Sequence, residues 1–488
     1  MNPYHILGVI LVYFIMLFVI SQVTSRNADS NTFFIGNRRS SWYLVSFGMI
    51  GASLSGVTFI SVPGWVLTSK FYYMQIVLGY LLGYAAIIHL LLPIYYKLNL
   101  TSIYTYLGSR FGKVSYKTGA SFFLLSRLIG ASFRLFIVAN VLQITIFDKL
   151  HVHFAFTIII TLLFIYLYTF RAGIKTIVWT DTLQTLFMLL AVIFTVIFIS
   201  KSLHLDLKEF FTMLKSSETT TIFNFHDWRK GSFFIKQFLS GAFITIVMTG
   251  LDQDMMQKNL SCRNLKDAQK NMYWYSSLLV PVNLLFLSLG ALLIIYSHSH
   301  GISIPERSDD LFPLIATGGT LPAFIGIIFI LGLVAAAYSS ADSALTALTT
   351  SFTIDILGAG NLPEARLKKI RWAVHILMSL TIGGIIFVFR LLNNEAVISS
   401  LFTAAGYTYG PLLGLFAFGI FSKRNIKDVW VPLVAILSPV FTFFVKLILE
   451  SVITNYHSSY ELLLVNGIIT IIGLIVISKR NFFRTGNL

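Results

Sequence analysis

Asp342 sits inside the apolar stretch Leu331 to Leu357, LGLVAAAYSSADSALTALTTSFTIDIL, with Ser339, Ser340, Ser343, Thr346, Thr349, Thr350 and Ser351 around it. A carboxylate in a bilayer-length segment costs several kcal/mol unless it is paired or faces a water-filled cavity, so an intramembrane ionisable residue marks a functional site by default. Hydroxyls three and four residues apart lie along one face of a helix. A face rich in oxygen and spaced by small alanines supplies hard ligands for a monovalent cation such as sodium. Without the aspartate the same face reads as a packing seam, because small residues let membrane helices approach closely. Asp181 and Gln184, in WTDTLQT, place a second carboxylate and an amide just inside another apolar segment. Arg127 and Arg134 lie seven residues apart on one face of a third. A guanidinium there forms a bidentate fork for a carboxylate-bearing ligand and keeps its charge in the membrane, or it is the structural partner of Asp181 or of backbone carbonyls; both readings stay open. His89 and His375 have no acidic partner at helical spacing and read as packing or interface residues.

These groups need membrane helices to position them, and the composition supplies them: 56% of residues are hydrophobic and 11% charged. A spanning helix takes roughly 20 apolar residues, and about thirteen such segments follow one another along the chain, leaving little sequence for an extramembrane domain. The first, Tyr4 to Ser21, has no basic leader and no small-residue cleavage pattern before Arg26, and is expected to be a retained helix. The second, Trp42 to Ser69, is interrupted near mid-membrane by GASLSG at Gly51 to Gly56, and again at Pro63 and Gly64. Unwound backbone at that depth is tolerated only where it is buried in protein or lines a cavity; the alternative is that the glycines pack against a neighbour.

Further spans are expected at Tyr73 to Leu98, Tyr116 to Phe147, Phe154 to Phe170 and Thr176 to Ser200. A polar interval, Lys201 to Lys230, separates them from a second series: Phe233 to Leu251, Tyr273 to Tyr296, the Asp342 stretch, Ala373 to Leu391 and Val397 to Phe421. Between the first two of these, TGLDQDMMQKNLS and KDAQKN read as a cytoplasmic helix-loop. Each series holds five spans, an odd number, so the second enters the membrane in the opposite sense. Inverted repeats with a discontinuous first helix bind substrate and ions at the midplane, where the repeats meet. The expected architecture is an all-α polytopic membrane protein forming a single transport domain. It comprises an extra N-terminal helix (4–21), a first repeat (42–200), a second repeat (231–421) and two C-terminal helices (427–478).

The formal charge of +16 would suit a nucleic-acid partner, but its placement argues for a membrane and no nucleic acid. Basic residues gather in alternate loops: Arg26, Arg38 and Arg39; Lys97, Arg110, Lys113 and Lys117; Arg171 and Lys175; Lys258, Arg263, Lys266 and Lys270; Arg366, Lys368, Lys369 and Arg371; Lys423, Arg424 and Lys427; Lys479, Arg480 and Arg484. By the positive-inside rule that side is cytoplasmic, with the N-terminus outside and the C-terminus inside. The single cysteine, Cys262, excludes an intrachain disulfide and a cysteine-cluster metal site.

Four motifs, in order, carry a resemblance: LLPIYYKLNLTSIYTYLGSRFG at Leu91 to Gly112, GLDQDMMQKNLS at Gly250 to Ser261, AAAYSSADS at Ala335 to Ser343 and GYTYGPLLGLF at Gly406 to Phe416. Over nearly the whole length to about Phe421 the chain resembles the sodium:solute symporter family, whose members move sugars, amino acids, carboxylates, vitamins or sialic acids with sodium. The resemblance implies the five-plus-five inverted repeat of the leucine-transporter type. It implies a sodium ion held by the backbone carbonyls of Gly51, Leu54 and Ala336 and the hydroxyls of Ser339 and Ser340. Asp181 falls where some members hold a further sodium, together with Asp342 and Ser343. A carboxylate at 342 departs from the small hydroxyl residue more common there, and leaves the stoichiometry open. For the solute, the resemblance points to Ser53, Ser55, Thr58, Phe71, Gln75 and Arg127, with Phe243 of the broken sixth core helix as a gate. This set is similar to that of the sialic-acid branch.

The function expected is therefore sodium-coupled import of a small polar organic solute by alternating access, leaning to an acidic sugar such as sialic acid. A neutral sugar, an amino acid or a monocarboxylate is the alternative. A transporter-like sensor would normally append a signalling domain, and only about ten residues follow the last helix. A membrane-embedded enzyme would need a paired nucleophile and base. The location expected is a bacterial inner membrane, with the bilayer, sodium and the solute as partners.

Overall fold

A computed structural model describes residues 3–26, 28–170, 173–216, 218–392, 397–454, 456, 458 and 461–479. Arg171, Arg480 and Arg484 of the basic loops lie outside the described residues. The chain is helical almost throughout, in chain order α1 (Pro3–Thr24), α2 (Trp42–Ser69), α3 (Tyr73–Lys97), α4 (Lys113–Leu142), α5 (Phe154–Thr169), α6 (Ile174–Ser202), α7 (Phe234–Gly250), α8 (Gln253–Leu260), α9 (Leu265–Ser299), α10 (Ala323–Ser351), α11 (Glu364–Leu392), α12 (Val397–Phe421), α13 (Val431–Val452) and α14 (Leu462–Val476). Among the described residues, ten helices are long and apolar enough to cross a membrane. α7 and α8 together form an eleventh candidate, bent by 64°, and α5 and α14 are shorter apolar helices. The outer helices expose apolar side chains in continuous faces, such as Leu11, Val12, Ile15 and Val19 on α1 and Phe441, Phe444, Leu447 and Ile448 on α13. Such faces suit a hydrocarbon surrounding, where a helix satisfies its own backbone.

The pairing of helices shows the internal symmetry. The first helix of one series packs on the second of the other: α2 on α9, and α7 on α3. The third packs on the fifth, α10 on α6 and α4 on α12, and on the fourth, α4 on α11 and α10 on α5. Each of these three pairings has its exchanged partner, as an inverted repeat requires. Both leading helices are also broken: α2 at Ser55, whose φ of 49° and ψ of 172° leave the helical region, and the second series at the bend between α7 and α8.

Glycine permits the closest of these contacts. A Cβ on Gly79 of α3 would stand 2.0 Å from the Phe238 carbonyl oxygen, and one on Gly241 of α7 would stand 2.2 Å from that of Ile76. The exchanged pair uses the same device, with Gly290 of α9 against the Pro63 carbonyl. Backbone-to-backbone approach of this kind is what small residues provide in membrane bundles.

The basic loops meet on one face of the bundle. Arg38 donates to the Leu100 carbonyl, Lys117 to that of Ile356, and Arg110 to those of Gly419, Ser422 and Arg424. Glu364 accepts from Ser30, and Ser40 pairs with Cys262 through a β-bridge. Two short antiparallel strands, β1 (Asn425–Ile426) and β2 (Ser478–Lys479), bring the loop after α12 to the chain beyond α14. One expectation changes. The run expected as a cytoplasmic helix-loop folds inward as α8, every residue of which is buried. Its polar side chains are consumed by neighbours: Gln253 bonds Thr101 and Ile103, and Gln257 reaches Phe34 and Thr350. Lys258 accordingly leaves the basic loop face and is 1% exposed.

Candidate functional site

The break in α2 opens onto α10. A residue with positive φ that is not glycine costs about 1–3 kcal/mol, and at Ser55 the packed surroundings hold it. The preceding turn loses its regular acceptor pattern, and the Ser340 hydroxyl donates to the Ala52 carbonyl across 3.1 Å. Gly51 is pressed against α6, its N–H donating to Thr185 Oγ1 at 3.0 Å. Ser339, one position from Ser340, turns to α6 and donates to Asp181 Oδ1 at 2.7 Å. Ala336, Ser339, Ser340, Asp342 and Ser343 are all buried on α10. The structure thus brings together the unwound turn holding Gly51 and Leu54, the α10 hydroxyls and Asp181.

The two carboxylates are both enclosed. Asp181 accepts from Ser339 and from Ser343 Oγ at 3.4 Å, and is ion-paired to Lys258 Nζ at 2.8 Å. Asp342 accepts from the Tyr168 hydroxyl at 2.8 Å and the Ser343 N–H at 2.5 Å. The pairing of Asp181 with one of the membrane arginines, left open by the sequence, is not what forms: its cation is Lys258.

Next to the break lies a cavity of about 90 Å³. Ser53, Ser55 and Thr58 line it from α2; Tyr73, Tyr80 and Tyr84 from α3; Thr245 and Thr249 from α7; Asn283 from α9; and Arg127 and Arg134 from α4. The two arginines differ. Arg127 is ion-paired to Asp254 and, at 3.7 Å, to Asp252, which also accepts from the Tyr409 hydroxyl. Arg134 is buried against the cavity without a hydrogen-bond or ion-pair partner among the described residues, its Nε included.

Phe71, Gln75 and Phe243 stand apart from this lining. Gln75 is fully buried, donating to Ser232 O and Gln237 Oε1 and accepting from the Asn224 N–H, so it fastens the 224–232 loop over α3. Phe71 is buried in the turn between α2 and α3. Phe243 is half-buried on the flank of α7, whose cavity face is Ile244, Thr245, Met248 and Thr249. Sequence reasoning missed the tyrosines of α3, whose signal was their spacing at 73, 80 and 84 along one helical face. It also missed the threonine pair 245 and 249, one turn apart. His375 is held between the hydroxyls of Thr169 and Thr349, and His89 bonds Tyr273.

The profile of the sodium:solute symporter family matches residues 33–428. The chain belongs to that family. Among relatives of this symporter, the sodium/sialic acid symporter SiaT of Proteus mirabilis is 26% identical over 455 residues, covering 87% of this chain and 86% of the relative. The sodium/sialic acid symporter NanT of Aliivibrio fischeri is 25% identical over 442 residues, covering 85% and 82%. A solved structure of a Na+-coupled sialic acid symporter, in a substrate-bound outward-open state, superposes with a TM-score of 0.82 at 20% identity over 98% of this chain and 99% of that one. The fold is therefore of the leucine-transporter type. The symporter is a multi-pass membrane protein and a secondary active transporter, not an enzyme, with sodium and a small solute as its cargo.

Proposed function

We propose that the symporter imports an acidic sugar of the sialic-acid class with sodium. The observation that carries this reading is Arg134, a buried guanidinium facing a hydroxyl-lined cavity while its neighbour Arg127 is taken up by Asp252 and Asp254. An unpaired buried charge is costly, and a carboxylate is the ligand that matches a guanidinium fork. The hydroxyls of Ser53, Ser55, Thr58, Thr245 and Thr249, with Asn283, suit the remaining polar groups of a sugar. Phe71, Gln75 and Phe243 shape the walls from behind the lining, and Arg127 acts through the α7–α8 bend. The sialic-acid symporters among the relatives point to the same class.

Sodium is held at the α2 break by the carbonyls of Gly51, Leu54 and Ala336 with Ser339 and Ser340, and Asp181, Asp342 and Ser343 form a second cation position. Binding there fixes α2 against α10 and preorganises the adjacent cavity, so ion and solute favour each other reciprocally. At about 100 mV each charge carried inward contributes roughly 2.3 kcal/mol. Residues 42–200 and 231–421 act as the two repeats, with 4–21 and 427–478 outside them, in a bacterial inner membrane with the basic face cytoplasmic and the N-terminus outside.

A neutral solute is the second reading, favoured by the balance of two guanidiniums with two carboxylates around the cavity. Binding of N-acetylneuraminic acid, other sugar acids, glucose and proline to the purified protein, with and without sodium, separates the two. Sodium-dependent binding of sugar acids alone, lost in Arg134→Gln, supports the first; binding of glucose or proline that survives Arg134→Gln overturns it.

A further inference from the structure

Lys258 supplies an ammonium at the place where the family resemblance left a second sodium open. It projects from α8, the arm turned inward by the 64° bend, and its Nζ lies 2.8 Å from Asp181 Oδ2. Both side chains are within 2% of complete burial. Ser339 and Ser343 donate their hydroxyl hydrogens to the same carboxylate. These are the oxygens a sodium ion at Asp181 would require.

We propose that the Lys258 ammonium is the resident cation of the Asp181–Asp342 cluster, in place of a second sodium, so that the symporter carries one sodium per cycle. The proposal rests on the sodium-coupled reading above. A buried carboxylate requires a counter-charge, and a covalently tethered ammonium is present at an effective concentration on the order of millimolar or higher, without being released at either membrane face. Its ion pair with Asp181 is close, at 2.8 Å. Both oxygens of Asp342 are satisfied without an ion, by the Tyr168 hydroxyl and the Ser343 N–H. A free sodium ion can reach Asp181 only if the ammonium withdraws, and Lys258 is enclosed by a helix buried along its whole length.

The test is calorimetric titration of the purified full chain with sodium chloride against choline chloride, which needs no knowledge of the solute. The unmodified protein is expected to bind one sodium ion, with affinity about 10- to 100-fold weaker in Ser340→Ala. Lys258→Gln is expected to bind two, the second lost again in Lys258→Gln with Asp181→Asn. Asp342→Ser, which keeps the lysine and so provides an arm should Lys258→Gln not fold, is expected to bind one. Two ions in the unmodified protein or in Asp342→Ser, or one in folded Lys258→Gln, overturns the proposal and leaves sodium coupling intact. No sodium binding to the unmodified protein overturns both.

Discussion

Ser340 on α10 and Arg127 on α4 do the same task at related places: each grips the break in the leading helix of the opposite series. Ser340 bonds the Ala52 carbonyl just before the α2 break, and Arg127 pairs with Asp252 and Asp254 at the α7–α8 bend. Both come from the third helix of a repeat, so the inverted repeat exchanges one for the other. One break is held by a neutral hydroxyl, the other by a cation.

Ser340→Ala is expected to raise the sodium concentration for half-maximal binding by about 10- to 100-fold, since losing one partner of a buried polar group costs about 1–3 kcal/mol and 1.4 kcal/mol is tenfold. Solute affinity at saturating sodium should change little. A sodium titration of intrinsic fluorescence reads the shift, and an unchanged midpoint would remove Ser340 from the ion site.

The arginines should separate by phenotype. Arg134→Lys keeps a charge but loses the planar fork, and should weaken binding of an acidic solute by roughly 10- to 100-fold with thermal stability preserved. Arg127→Met strips two buried carboxylates of their partner, a loss of about 3–5 kcal/mol, and should lower the melting temperature before any solute is added. Thermal unfolding beside solute binding for both variants decides; equal melting temperatures would contradict the division.

Gly241→Ala places a methyl group against the Ile76 backbone, which cannot yield as a side chain can, and should destabilise by about 1–3 kcal/mol. Gly384→Ala, with nothing within 4 Å of its Cβ, is the control. Yield of folded protein and melting temperature in detergent should fall for the first and not for the second.

Sidedness is testable because Cys262 is the only cysteine. In a Cys262→Ser background, Lys230→Cys should react with a membrane-impermeant maleimide in intact cells, and Lys369→Cys only after permeabilisation. The reverse pattern would invert the proposed orientation.

The spans were legible because bilayer-length apolar runs leave few alternatives: Trp42–Ser69 begins and ends where the sequence places it. The α2 break was legible too, since GASLSG concentrates small residues at mid-depth. The fate of DQDMMQK was not. Its alternating polar residues look solvated when taken alone, and only the partners brought by distant segments, Arg127, Thr101 and Phe34, allow α8 to be buried. The meeting of Asp181 with Lys258 was not legible either, because the lysine is 77 positions away and reaches it only through the bend. Gln75 is the reverse case. A glutamine near a binding helix looks available until the 224–232 loop closes over it.

Asp428 accepts from the N–H groups of Val114 and Ser115 and from the Ser115 hydroxyl. With the three carbonyls held by Arg110, it fastens the start of α4 to the end of α12 and the start of α13. Separating them would break six hydrogen bonds, each worth on the order of 1 kcal/mol. These helices must therefore travel as one lever, and a passage toward the basic face has to open by swinging the broken helices away from it. That joint lies at the basic-loop end of α4, away from the cavity, and loosening it would slow turnover while leaving the affinity for sodium and solute untouched.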